Sequence, residues 1–191
     1  MRVLEITPGL WHWTGLHPEW TPEDDWEEEV GCTFYEGPDR VVLFDPLVPP
    51  EESERFLAAL DLDLDRSARP LAILLTVPWH ARSAGELVEL YGATVGAPPP
   101  KGVSAFSVAG AGGEPETLYW LEGPRALVVG DVLLGDPLRL CPESWLPEEL
   151  RGAPIRDSLR PLLDLPIERI LTAHGEPVLA GGHDVLAELL G

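Results

Sequence analysis

Leu71–Tyr91, LAILLTVPWHARSAGELVELY, is the stretch on which the reading of this chain turns. Leu71–Leu75 is a short apolar run set between Pro70 and Pro78, the pattern of a buried strand. Ala84–Tyr91 has helical character, with Ser83 placed as its N-cap and Gly92 as its stop. A buried strand, a sharp loop and a helix in that order put the loop at a strand's carboxyl end, where α/β proteins build binding sites.

Working outward, Arg2–Leu10 alternates enough to open the fold as a strand. Residues 11–29, WHWTGLHPEWTPEDDWEEE, are acidic and Trp-rich without a usable period, which predicts a long loop or flap. Gly31–Tyr35 and Arg40–Phe44 form a hairpin pattern around Gly37-Pro38-Asp39. Pro50–Leu60 has helical spacing with acidic residues in its first turn, which suits the helix dipole. Beyond the central stretch, strands are predicted at Thr94–Val95, Val103–Val108, Thr117–Leu121, Ala126–Val129 and Arg169–Thr172. Short helices are predicted at Ser158–Leu163 and Gly182–Leu190, with loops at Pro98–Pro100 and Gly110–Gly113. No internal repeat or linker divides the chain, so residues 1–191 are expected to form one domain.

Composition narrows the function. A formal charge of −20 disfavours nucleic acid and anionic lipid, both of which need clustered Lys and Arg. No apolar run approaches the roughly 18 residues that span a bilayer, and the first residues do not resemble a targeting segment. Cys32 and Cys141 are far apart and lack C-x-x-C spacing, which predicts small core residues in a reducing cytoplasm. There is no Asn and no Gln, a composition that hot environments favour, although a GC-rich genome produces a similar bias. No G-x-S-x-G elbow, P-loop or dinucleotide fingerprint is present.

Four motifs in order resemble the metallo-β-lactamase-fold hydrolases of the glyoxalase II kind. They are the Leu71–Tyr91 stretch, Val41–Pro46 (VVLFDP), Ala126–Val132 (ALVVGDV) and Leu171–Gly175 (LTAHG). The resemblance spans nearly the whole chain. It implies a four-layer αββα sandwich, hydrolysis of an ester, thioester or related acyl bond, and metal ligands at the strand ends. The family motif at the central strand is T-H-x-H-x-D-H-x-G-G-x-x-E-L. Thr76 and Gly85-Glu86-Leu87 fit it, but Val77, Trp79, Ala81 and Arg82 stand at its four ligand positions. Only Asp131 and His174 match ligand positions elsewhere, and no histidine stands near Val108–Gly113.

Two readings follow. In the first, the chain holds no metal and uses the old cleft to bind a small molecule or a protein, with Trp79, His80, Arg82 and Asp45 as binding residues. Arg82 would then pair with Asp131 in place of a cation. In the second, the chain is a hydrolase, using either one zinc or other divalent ion on His80, Asp131 and His174, or an Asp131–His174 acid–base pair. The first is preferred, so the expectation is no cofactor. His80 is expected to be a partly exposed loop residue, and His12, His17 and His183 surface or capping groups. Trp11, Trp13, Trp20 and Trp26 are expected to anchor the acidic loop, with an apolar pocket or a homodimer contact as alternatives.

Overall fold

In the computed structural model, which describes residues 1–191, the chain divides after Gly102 into two units, each built on its own sheet. The first contains β1 (Arg2–Thr7), β2 (Leu10–Leu16), β3 (Glu29–Glu36), β4 (Val41–Phe44), β5 (Leu71–Leu74) and β6 (Thr94–Val95), adjacent in chain order. Strands β1 to β4 are antiparallel neighbours, whereas β5 and β6 add in parallel. Parallel pairing needs a crossover, and the two crossovers carry α1 (Ser53–Ser67) and α2 (Ala84–Tyr91).

Val41, Leu43, Leu71 and Ile73 turn towards Leu60 of α1 and Leu87 of α2 in one apolar core. Their alternates Val42, Phe44, Ala72 and Leu74 are buried on the opposite face. Burial on both faces is why β4 and β5 read as unbroken apolar runs.

Two expectations for this unit change. Residues 10–16 are a strand, so the irregular segment is shorter than 11–29. Trp11 and Trp13 face the helices, while His12 and Thr14 lie buried on the other side. Polar residues on a buried face concealed the period of two. Helix α1 also runs on to Ser67, closing at Ala68 in a left-handed conformation (φ 52°). The alternation of Asp and Leu along DLDLD hid its helical spacing.

The second unit contains β7 (Val103–Ala109), β8 (Pro115–Leu121), β9 (Ala126–Val129), the short pair β10 (Leu133–Leu134) and β11 (Arg139–Leu140), and β12 (Arg169–Thr172). Its main sheet has the order β12-β9-β8-β7, with β12 parallel to β9 and the other neighbours antiparallel. Leu118, Leu127, Val129 and Ile170 pack with Ile155 and Leu159 of α3 (Ala153–Leu159) and Leu186 of α4 (Gly182–Leu190). The helix expected at 158–163 therefore begins five residues earlier, and a 3₁₀ turn over Arg160–Asp164 takes up the remainder. Pro161 lacks the N–H that would continue the α-helix. The chain is a mixed α/β protein, and no helix is long and apolar enough to cross a membrane.

Candidate metal centre

In the first unit, the parallel register of β4 and β5 sets Phe44 beside Leu74, so both strands end at the same level. The residues that follow therefore meet. Asp45, 2% exposed, accepts from the Thr76 backbone N–H at Oδ1 (2.8 Å) and from the Thr76 hydroxyl at Oδ2 (2.6 Å). After Val77 a 3₁₀ turn over Pro78–Ala81 brings His80 back over this pair. His80 Nδ1 lies 3.0 Å from Asp45 Oδ2 and 3.1 Å from Thr76 Oγ1. The Thr76 proton is directed to Asp45, so both oxygens near Nδ1 are acceptors. The network therefore assigns the imidazole proton to Nδ1 and leaves the lone pair on Nε2.

His80 is 4% exposed, which replaces the expected partly exposed loop histidine. Arg82 also departs from expectation. Its Nη1 donates to the backbone carbonyls of Gly31 (3.0 Å) and Asp45 (2.9 Å), not to Asp131. It braces the turn from behind. The Ser83 hydroxyl likewise accepts from Val48 N at 2.9 Å instead of capping α2. Trp79 projects from the turn and is 48% exposed.

In the second unit, β9 and β12 are parallel with Val129 beside Thr172, so Asp131 and His174 emerge from adjacent strand ends. Both are buried, and His174 Nε2 lies 3.4 Å from Asp131 Oδ1. Glu116, on β8 and fully buried, holds the Asp131 segment. Its Oε1 accepts from Gly130 N (2.9 Å), and its Oε2 from Asp131 N (3.1 Å) and Val132 N (2.9 Å). The His174 segment is held by a close backbone approach, in which Gly135 N donates to His174 O at 2.9 Å. A Cβ on Gly135 would overlap the Glu176 carbonyl, and one on Gly175 (φ +75°) would sit 2.7 Å from Gly135 O. Trp145 places its ring edge-on to His174, with centroids 6.4 Å apart. The sequence pointed to Asp131 and His174 but not to Glu116, Gly135 or Trp145.

Two imidazoles and a carboxylate are the donor types that a divalent transition metal takes. The Asp131–His174 separation is longer than the roughly 2.7–2.9 Å of a charge-assisted hydrogen bond. It matches the spacing of two ligands each about 2.1 Å from one tetrahedral ion, which is about 3.4 Å. His80, Asp131 and His174 are all buried, and their ligand atoms lie within 4.8 Å of one another. The expectation of no cofactor is thereby corrected. His80, one place off the ligand positions of the central motif, adds a third donor to the group, which could hold a single metal ion.

The cysteines stand outside this donor set. Burial pushes Cys32 up to about 11, against a lowering by the nearby Arg82 charge. Burial, with the charges of Glu116 and Asp131, pushes Cys141 up to about 12. Both are free thiols. Of the other histidines, His12 is buried with Nδ1 3.3 Å from Thr33 Oγ1, contrary to a surface role. His17 packs edge-on against Trp26, and His183 Nε2 lies 3.2 Å from Leu163 O.

No family model matches the chain, and none of the curated proteins matches it. Solved structures do. The chain is similar to the DIM-1 metallo-β-lactamase at 12% identity and a TM-score of 0.65, covering 100% of this chain and 98% of that one. It is similar to a metallo-β-lactamase from Erythrobacter litoralis at 14% identity and a TM-score of 0.58, covering 98% and 92%. It also resembles the metal-soaked Flv1 flavodiiron core from Synechocystis at 13% identity and a TM-score of 0.65. That match covers 99% of this chain and 60% of the other. Identities this low speak to architecture alone, and on that level they agree: the chain has the metallo-β-lactamase fold.

Proposed function

We propose that this protein binds one divalent transition-metal ion through His80, Asp131 and His174 and hydrolyses an ester, thioester or related acyl bond. The observation that carries the reading is the buried set of three donors, two imidazoles and one carboxylate, with ligand atoms within 4.8 Å of one another. Three protein ligands are also the number that leaves a metal one position open for water or substrate. A metal bound there supplies Lewis acidity and a water of lowered pKa.

The chain's own residues supply the rest. Asp45 and Thr76 orient His80 by holding its Nδ1 proton, so that Nε2 is the donor. Glu116 fixes the backbone on either side of Asp131. Trp145 stands edge-on beside the His174 ring. The likeness to structures named as metallo-β-lactamases favours hydrolysis, and the metal-soaked flavodiiron core agrees with a metal-bearing site. Two buried free cysteines suit a reducing compartment, and we place the protein in the cytoplasm.

The test is hydrolysis of nitrophenyl esters and acyl thioesters by metal-depleted protein, before and after addition of zinc, manganese or iron(II). Metal-restored turnover that disappears in His174→Ala supports the proposal. Equal turnover with and without metal, or none with any ion, refutes hydrolysis by this site.

A further inference from the structure

We infer that the first unit carries a separate binding site, a cavity against α1 that takes a small uncharged aromatic molecule. The tryptophans of the early segment point to it. Trp11 and Trp13 lie on the same face of β2, with Trp11 paired to Phe34 and Phe34 to Leu43 across β3 and β4. This row floors a cavity of about 280 Å³. Phe56, Ala59 and Leu60 line it from one face of α1. The volume lies just below the usual range of ligand pockets, about 300 to 1,000 Å³. A one- or two-ring molecule suits it, and a long acyl chain does not.

The chemistry of the lining selects the ligand's charge. Trp13 gives its indole N–H to Leu47 O at 2.9 Å, so it offers the cavity no polar group. Its ring lies 5.3 Å from that of Phe56 at 47°, a tilted arrangement into which a third ring can pack. Arg55 and Asp63, the charged side chains that line the cavity, are already engaged. Arg55 Nη1 lies 3.2 Å from Glu52 Oε2, and Asp63 Oδ1 lies 2.9 Å from Arg66 Nη2. The Met1 ammonium, also at the cavity, is paired with Glu52 at 2.7 Å, so an ionic ligand would lose hydration and have to compete for groups that are already paired. A neutral aromatic loses little.

None of these residues belongs to the metal centre, so the two sites are tested independently. The probe is indole, titrated into the full chain by calorimetry and followed by amide NMR shifts, with tryptamine and indole-3-acetate as charged counterparts. The expected result is saturable binding of one indole, with shifts at Phe34, Phe56 and Ala59 and at least tenfold weaker binding of both charged analogues. Ala59→Trp, which fills the cavity from the helix, is expected to weaken indole binding at least tenfold while metal content stays unchanged. Absence of saturable binding to the wild-type chain overturns the inference. So do shifts confined to other residues, or equal affinity for the charged analogues. Should the filled variant fold poorly, the shift map and the charge series on the wild-type chain decide alone.

Discussion

Asp45 Oδ2 sits 3.0 Å from His80 Nδ1 and 2.6 Å from Thr76 Oγ1, so one buried carboxylate orients the histidine of the turn that follows β5. A carboxylate behind an imidazole sets which nitrogen faces the metal and raises its basicity. Asp45→Asn keeps the shape but lowers the acceptor strength and introduces an N–H. Metal affinity is expected to fall by about 10- to 100-fold, as measured by competition with a chromogenic chelator. An unchanged affinity would mean that His80 does not donate to the ion.

Glu116 accepts three backbone N–H groups from Gly130, Asp131 and Val132 while fully buried. Glu116→Gln keeps one oxygen acceptor and turns an N–H towards others. Each buried donor left unpaired costs about 1–3 kcal/mol, and about 1 kcal/mol lowers Tm by roughly 2–4 °C in a chain of this size. A Tm reduced on the order of 5–10 °C is expected by calorimetry. A Tm within error of wild type would show that the three hydrogen bonds contribute little.

Gly135 lies against the Glu176 backbone so closely that an added Cβ would stand 2.8 Å from its carbonyl carbon. Backbone cannot yield as a flexible side chain can. Gly135→Ala is therefore expected to displace the segment that carries His174 and to lose bound metal in a still-folded chain. Far-UV circular dichroism and metal content measured together check this. Full metal content in the alanine variant would contradict it.

Cys32 is raised from 9.0 to about 11 by burial. A folded pKa above the unfolded value favours the native state while the thiol is neutral. This contribution is complete below pH 9 and is lost as pH rises through 11. Denaturant melts between pH 8 and 11 are expected to show falling stability, and the fall should be smaller in Cys32→Ala. Thiol reagents at pH 8 should leave both cysteines unmodified until denaturant is added. Rapid labelling of the native protein would contradict their burial.

Much of the fold was legible because its central strands are buried on both faces. Val41–Phe44, Leu71–Leu74 and Ala126–Val129 are apolar runs with little ambiguity. Strand β2 is concealed because His12 and Thr14 are polar yet buried, and the last turns of α1 are concealed because Asp and Leu alternate along them. At the site, Asp131 and His174 were visible as strand-end residues. The role of His80 is hidden in the sequence because a linear frame cannot show that a 3₁₀ turn after Val77 carries it back over Asp45. Glu116 was invisible, since its partners are backbone N–H groups 14 to 16 residues away.

The most direct test is the metal content of untagged protein by elemental mass spectrometry, after exposure to zinc, manganese and iron(II) and exhaustive dialysis. About one equivalent of one ion is expected in the wild-type chain, lost in His80→Ala, Asp131→Ala and His174→Ala alike (three donors on one ion). A folded wild-type chain without bound metal, or metal retained when any one of the three is replaced, would contradict it.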